Sequence, residues 1–214
     1  MSATFIPAFP VLAAFVLASA VLAITPGPDM TLFLSKTVAQ SRAAGFASLG
    51  GTLAGVVVHS ILVAAGLSVL LSASVTAFMI LKIAGALYLV YLAIDAIRHG
   101  SSLSLARGGK PEAMQALFMK GLMVNLLNPK VIIFFVTFLP QFVLPEDPYA
   151  ARKLLFLGLT FAVVNIPVCL PLILFAERIA GWLKRSPRAT RFADWLFAGV
   201  LGCFAARLIL AQTR

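Results

Sequence analysis

Acidic residues are scarce in this 214-residue chain, with seven Asp and Glu against seventeen Lys and Arg, and there are two cysteines and two histidines. Each shortage removes a class of function. The cysteines, Cys169 and Cys203, sit singly in apolar runs, outside any C-x-x-C pattern and away from the proline breaks described below. They make neither a disulfide framework nor a dithiol relay, so a membrane thiol-redox conduit is the weaker alternative. With no H-E-x-x-H, no G-x-S-x-G and so few acids, an enzyme is not expected, nor a metal site or cofactor. No Lys or Arg precedes Lys36. The positively charged start of a secretory signal is therefore missing, and "ASA" at 18–20 reads as part of a retained span.

What the chain has instead is apolar length. Hydrophobic residues make up 61% and charged residues 11%, with a mean hydropathy of +1.03. That is the composition of an integral membrane protein. Residues 1–28 and 154–176 carry no charge, and 43–81 carry none apart from what His59 contributes when protonated. Each run is long enough for a spanning helix, which needs about 20 residues. Polar breaks divide the chain into six spans near 9–35, 43–71, 76–97, 117–142, 152–176 and 194–211. The expected fold is an all-α bundle, since an open sheet edge has no backbone partners in lipid.

The net charge of +10 is distributed by side rather than gathered for nucleic acid. Lys36 and Arg42 lie between spans one and two, and Arg98, Arg107, Lys110 and Lys120 between three and four. Arg178, Lys184, Arg185, Arg188 and Arg191 lie between five and six. Only Arg152, Lys153 and Arg214 fall on the other side, which by the positive-inside rule puts both termini outside. Lys82, Lys130 and Arg207 lie within spans. Lys82 and Arg207 are near outer ends and can snorkel, but Lys130 is deeper. Small residues recur at Ala43, Ala47, Gly51 and Gly55 and at Ala198, Gly202 and Ala206, rows that let helices approach closely. A homo-oligomer is compatible with these rows but does not follow from them.

The two halves look related. "TPGPDMTLF" (25–33) and "LLNPKVIIFF" (126–135) align at an offset of 101 residues, matching Pro28 to Pro129, Asp29 to Lys130 and Phe33 to Phe134. "KIAGALYL" (82–89) also resembles "LFAGVLGC" (196–203). Residues 1–100 and 117–214 then form two three-helix repeats, joined by a polar loop over 101–116. Three spans per repeat is an odd number, so the second copy is inverted, as in many secondary transporters.

Pro26 and Pro28 each remove a backbone donor, so span one splits at "TPGPD" into two half-helices. Free carbonyls end the first and free N–H groups begin the second, with Asp29 where a capping carboxylate belongs. "NLLNPK" repeats the break in span four, with Asn125, Asn128, Pro129 and Lys130. An ionisable residue near the bilayer centre is costly, and two readings of this pair stand. Asp29 and Lys130 form a buried salt bridge holding the helices together, or they bind the ammonium and carboxylate of a zwitterion, with Thr25, Asn125 and Asn128 adding neutral hydrogen bonds. Coupling to protons needs a titratable group: Asp29 is the first candidate and His59, mid-span in "GVVVHSIL", the second, although a lone buried His is more often a packing residue. Asn165 and Pro167 in "VVNIPV" interrupt span five and read as a local hinge rather than a ligand contact.

With "TPGPDM" in span one and "KGLMVNLLNPKVIIFF" in span four, the chain resembles the lysine exporter superfamily in its homoserine/threonine efflux (LysE/RhtB) branch. "SRAAGFASLGGTLAG" and "LKIAGALYLVYLA" extend the likeness over essentially the whole chain. The resemblance implies a bacterial cytoplasmic-membrane exporter of amino acids or their derivatives, working by exchange with protons. It carries over the elements Pro26, Gly27, Pro28, Asp29 and Asn128, Pro129, Lys130. Export of another small solute remains an alternative, because the family handles several substrate types.

Overall fold

The computed structural model describes residues 6–73, 110–144 and 147–186, with scattered positions between 76 and 98 and between 188 and 199. Most of spans three and six lies outside the described residues. So do Lys82, Cys203, Arg207, the second small-residue row and the match between 82–89 and 196–203.

Every regular element among the described residues is helical. α1 (Phe9–Ile24) opens on Pro10, where a missing N–H costs nothing. It ends at Thr25, because neither Pro26 nor Pro28 can donate to the carbonyl four residues back. α2 (Pro28–Ala39) restarts after Gly27 and is bent 52° from α1. α3 (Arg42–Ala73) follows without a break. α4 (Met114–Leu126) and α5 (Pro129–Phe142) repeat the arrangement, again bent by 52°. Within α5 the helix widens to a π turn over Phe134–Phe138, where the Leu139 N–H reaches the Phe134 carbonyl, and then tightens to 3-10 over Leu139–Phe142. Pro140, with no N–H to give, stands at this change of winding.

α6 (Ala150–Leu174) runs through Pro167 and Pro171 as one helix, so "VVNIPV" is not an interruption. Asn165 Nδ2 donates to the Phe161 carbonyl at 2.8 Å. The missing proline rungs are tolerated in a helix whose buried face, from Leu154 to Ile173, is packed along its length. α7 (Ala176–Arg185) was not foreseen: the basic connection after span five is in part helical. Two described helices, Arg42–Gly66 and Ala150–Leu174, are long and apolar enough to cross a membrane, and the two bent pairs bring the number to four.

Small residues set the helix spacing. A Cβ on Gly51 would come within 1.9 Å of the Phe118 carbonyl, and one on Gly121 within 2.1 Å of the Ser48 carbonyl. α3 and α4 therefore cross backbone to backbone, the close approach that small residues allow where lipid supplies no hydrophobic drive. On the other side of α3, a Cβ on Gly158 of α6 would fall 2.3 Å from Ser60 Oγ. An aromatic core fills the space between α1, α5 and α6. Phe134 lies 4.6 Å from Phe161 and 5.0 Å from Phe138, and Phe15 meets Phe142 edge-on at 5.2 Å, all centroid distances.

At the end of the bundle bearing the basic connections, Glu112 ties α2 to α4. Its carboxylate takes Lys120 at 2.9 Å and Lys36 on the other oxygen. The Gln40 side chain pairs with the Glu112 backbone in both directions, at 2.9 and 3.0 Å. The hydrogen bonds from Lys120 and then Lys36 pull the Glu112 carboxyl from 4.5 down to about 2. A carboxyl depressed by folding stabilises the fold above its unfolded pKa, and that contribution disappears as pH falls through the folded one. The clamp is therefore at full strength above about 4.5 and gone near 2. Its side chain is 30% exposed, so the effect is modest. Glu112→Gln should lower the melting temperature in detergent slightly at pH 6 and flatten its fall below pH 4.5. An acid limb identical to the parent's would show the clamp to be without thermodynamic weight. At the opposite end, burial pushes the Asp147 carboxyl up, but hydrogen bonds from Lys153 and the Tyr149 N–H outweigh it and leave the group below its usual range.

Candidate functional site

The two breaks face each other and exchange partners. In a continuous helix the Leu22 carbonyl would accept from residue 26, and Pro26 has no proton to give. Lys130 fills that place: its Nζ donates to the Leu22 carbonyl at 3.0 Å and to the Thr25 carbonyl at 2.8 Å. A cation here also meets the negative end of α1. In return, Asp29 Oδ2 accepts from Asn125 Nδ2 and Asn128 Nδ2, each at 3.0 Å. Pro28 and Pro129 are the first residues of α2 and α5, so Asp29 and Lys130 occupy equivalent places one residue later.

These contacts refine three expectations. Asp29 does not cap its own helix: Gly27 is the N-cap, in extended backbone (φ −161°), and the carboxylate reaches across to the other break. Asp29 and Lys130 are each held by neutral groups of the opposite half. Thr25 turns its hydroxyl to the Val21 carbonyl of its own helix, leaving its backbone oxygen to Lys130. Asn128 does double work, since its Oδ1 caps α5 by accepting the Lys130 N–H at 3.0 Å while its Nδ2 holds Asp29.

Thr25, Asp29, Thr52, Asn125, Asn128 and Lys130 line one cavity of about 50 Å³, walled on its apolar side by Phe33, Val56 and Phe161. Gly27 also lines it; a Cβ there would stand 3.6 Å from Lys130 Nζ, in ordinary contact. His59 is outside the lining. It is buried, stacked on Phe135 at 5.5 Å, with Nε2 3.4 Å from the Asn125 carbonyl, the geometry of a packing residue one step behind the site.

Cys169 and Asn165 do line the cavity. The sequence placed Cys169 away from both breaks and Asn165 at a hinge; the lie of α6 across the breaks, which no local pattern encodes, brings both in. Thr52 was missed as well. A threonine in a membrane helix usually bonds its own backbone and so attracts no notice, and the only signal was its place beside Gly51 in the small-residue row.

Gly55 sets this geometry from α3. A Cβ there would lie 2.5 Å from Asn125 Oδ1 and 2.9 Å from Asn125 Cβ. Gly55→Ala should push Asn125 off Asp29 and cut transport about tenfold, the loss of one hydrogen bond to a charge, with the protein still folded. Parental rates in that variant would show that the Asn125–Asp29 contact is dispensable.

A sequence model of the LysE type translocators matches residues 20–212. The chain belongs to this family. Among its relatives is a homoserine/homoserine lactone efflux protein of Salmonella typhimurium, 33% identical over 199 residues that cover 93% of this chain and 96% of that protein. A leucine efflux protein of Salmonella choleraesuis is 26% identical over 194 residues, covering 90% and 91%. An uncharacterized membrane protein of Pseudomonas aeruginosa is 31% identical over 195 residues, covering 86% and 90%. No solved structure matches the chain. As a LysE type translocator the chain is a membrane transporter and not an enzyme.

Proposed function

We propose that this translocator exports small amino acids or their derivatives from the bacterial cytoplasm in exchange for protons, at the polar centre between its two broken helices. The observation that carries the proposal is the reciprocal crossing of the breaks. Lys130 holds the carbonyl end of α1, while Asn125 and Asn128 hold Asp29. Such a centre has a negative and a positive pole a short distance apart, which suits a zwitterion at the interface of two repeats. Efflux of homoserine, its lactone and leucine is named for the relatives, and this chain is proposed to take substrates of that kind.

The bundle is read as six spans in two inverted repeats, 1–100 and 117–214, joined by a cytoplasmic loop over 101–116. The equal bends of 52° and the prolines opening α2 and α5 support that arrangement. Both termini face outside the cytoplasmic membrane, with Lys36, Arg42 and Lys120 inside.

The test is proton-gradient-driven uptake of labelled homoserine, threonine and leucine into inside-out vesicles, with and without a protonophore. Uptake that collapses with the gradient is the expected result; no uptake of any amino acid by folded protein would refute the reading. Asp29 is the proposed proton carrier. Asp29→Asn should abolish the linked proton movement, measured as pH change in the vesicle lumen, so that whatever amino-acid exchange the weakened site still supports runs uncoupled. Unchanged coupling would pass the role to His59.

A further inference from the structure

Three buried oxygens at this centre have no partner among the described residues: Asp29 Oδ1, Asn125 Oδ1 and Thr52 Oγ1. They come from three different helices, α2, α4 and α3, and all three residues line the 50 Å³ cavity. Thr52 and Asn125 are 6% and 0% exposed. A buried polar group without a partner costs about 1–3 kcal/mol, so three around one cavity mark a place built for a ligand.

Thr52 is exceptional on its own helix. Ser48 donates to the Ala44 carbonyl at 3.0 Å and Ser60 to the Val56 carbonyl at 2.7 Å, the usual bond one turn back. Thr52 would use the Ser48 carbonyl, but Gly121 of α4 presses against that oxygen, where an added Cβ would come within 2.1 Å. The close helix crossing thus crowds the usual partner of Thr52, and its hydroxyl oxygen has no partner among the described residues.

We infer that Asp29 Oδ1, Asn125 Oδ1 and Thr52 Oγ1 form an acceptor tripod for the primary ammonium group of the exported substrate, and that the free amine, rather than the carboxylate, defines the substrate class. A primary ammonium carries three N–H donors and one positive charge, matching three acceptors of which one belongs to a carboxylate. The cation opposite, Lys130 Nζ, already holds two backbone carbonyls. A substrate carboxylate adds to binding by approaching it but is not required. Amines whose carboxyl group is tied up as a lactone or amide therefore belong to the class, and N-acylated amino acids do not.

This inference rests on the export reading, and counterflow in proteoliposomes of the full chain separates the two. Vesicles loaded with unlabelled homoserine take up labelled homoserine, in competition with homoserine lactone, homoserine amide or N-acetylhomoserine. The lactone and the amide are expected to compete within about threefold of homoserine, and the N-acetyl compound at least tenfold more weakly, as loss of a charged hydrogen-bonded group implies. Thr52→Val should raise KM for homoserine about tenfold with a smaller change in maximal rate, and Thr52→Ser should restore it. Equal competition by the N-acetyl compound, failure of the lactone and amide to compete, or a strict requirement for sodium in place of an amine would overturn the tripod while leaving export standing. Counterflow of no amino acid at all would overturn the export reading, and the tripod with it. The competition series uses the parent protein, so it decides the matter even where Thr52→Val fails to fold.

Discussion

Lys130→Ala should lower the kcat/KM of amino-acid export by at least about a hundredfold, with the protein still inserted in the membrane. Two losses add. The Leu22 and Thr25 carbonyls at the broken end of α1 lose their donor, at about 1–3 kcal/mol for each buried group left unmade. The Asp29 carboxylate loses the charge that balances it across the cavity, and an uncompensated buried charge costs about 3–5 kcal/mol. Part of this falls on stability and part on transport, because the pinned end of α1 forms one wall of the cavity. Homoserine lactone, which has no carboxylate, should lose transport as homoserine does, since the damage is to the helix end. The check is counterflow with both substrates on variant protein shown to be monodisperse in detergent. Parental rates would remove Lys130 from the site.

The second large effect is structural. Gly51→Val and Gly121→Val should each destabilise the protein by about 3 kcal/mol or more, lowering the melting temperature by about 10 °C. A side chain at either position meets backbone rather than a movable side chain: the Phe118 carbonyl at 1.9 Å for Gly51, the Ser48 carbonyl at 2.1 Å for Gly121. Gly50→Ala is the control. Its Cβ would stand 3.5 Å from the Phe118 ring, in ordinary contact, so its melting temperature should stay within a degree or two. Because the same crossing crowds the Ser48 carbonyl, milder substitutions at Gly121 that still fold should also disturb Thr52 and weaken substrate affinity. A melting temperature unchanged in Gly51→Val would mean that α3 and α4 do not cross as described.

The breaks were legible because proline chemistry is local. Pro26, Pro28 and Pro129 lack N–H groups whatever surrounds them, and the helices end and restart where those donors are missing. The six candidate spans rested on a similar local property, apolar length. The pairing at the site was not legible. Sequence distance gave no reason for Lys130 to meet the Leu22 and Thr25 carbonyls; that contact depends on how α5 is set against α1, where Phe134 and Phe138 pack on Phe15. Cys169 and Thr52 were hidden for the same reason, since a side chain in an apolar helix shows its role only when its rotation is fixed. Proline misled once, at Pro167, where a well-packed helix absorbs the lost rung.

Cys169 lies in the cavity wall and reports on whether substrate binds there. In a Cys203→Ala background, the rate at which a small membrane-permeant maleimide modifies Cys169 should fall at least several-fold when a transported amino acid is present, with half-protection near its transport KM. An amino acid that is not transported should give no protection. If Cys169 reacts at the same rate with and without saturating transported substrate, the substrate does not pass between the two broken helices.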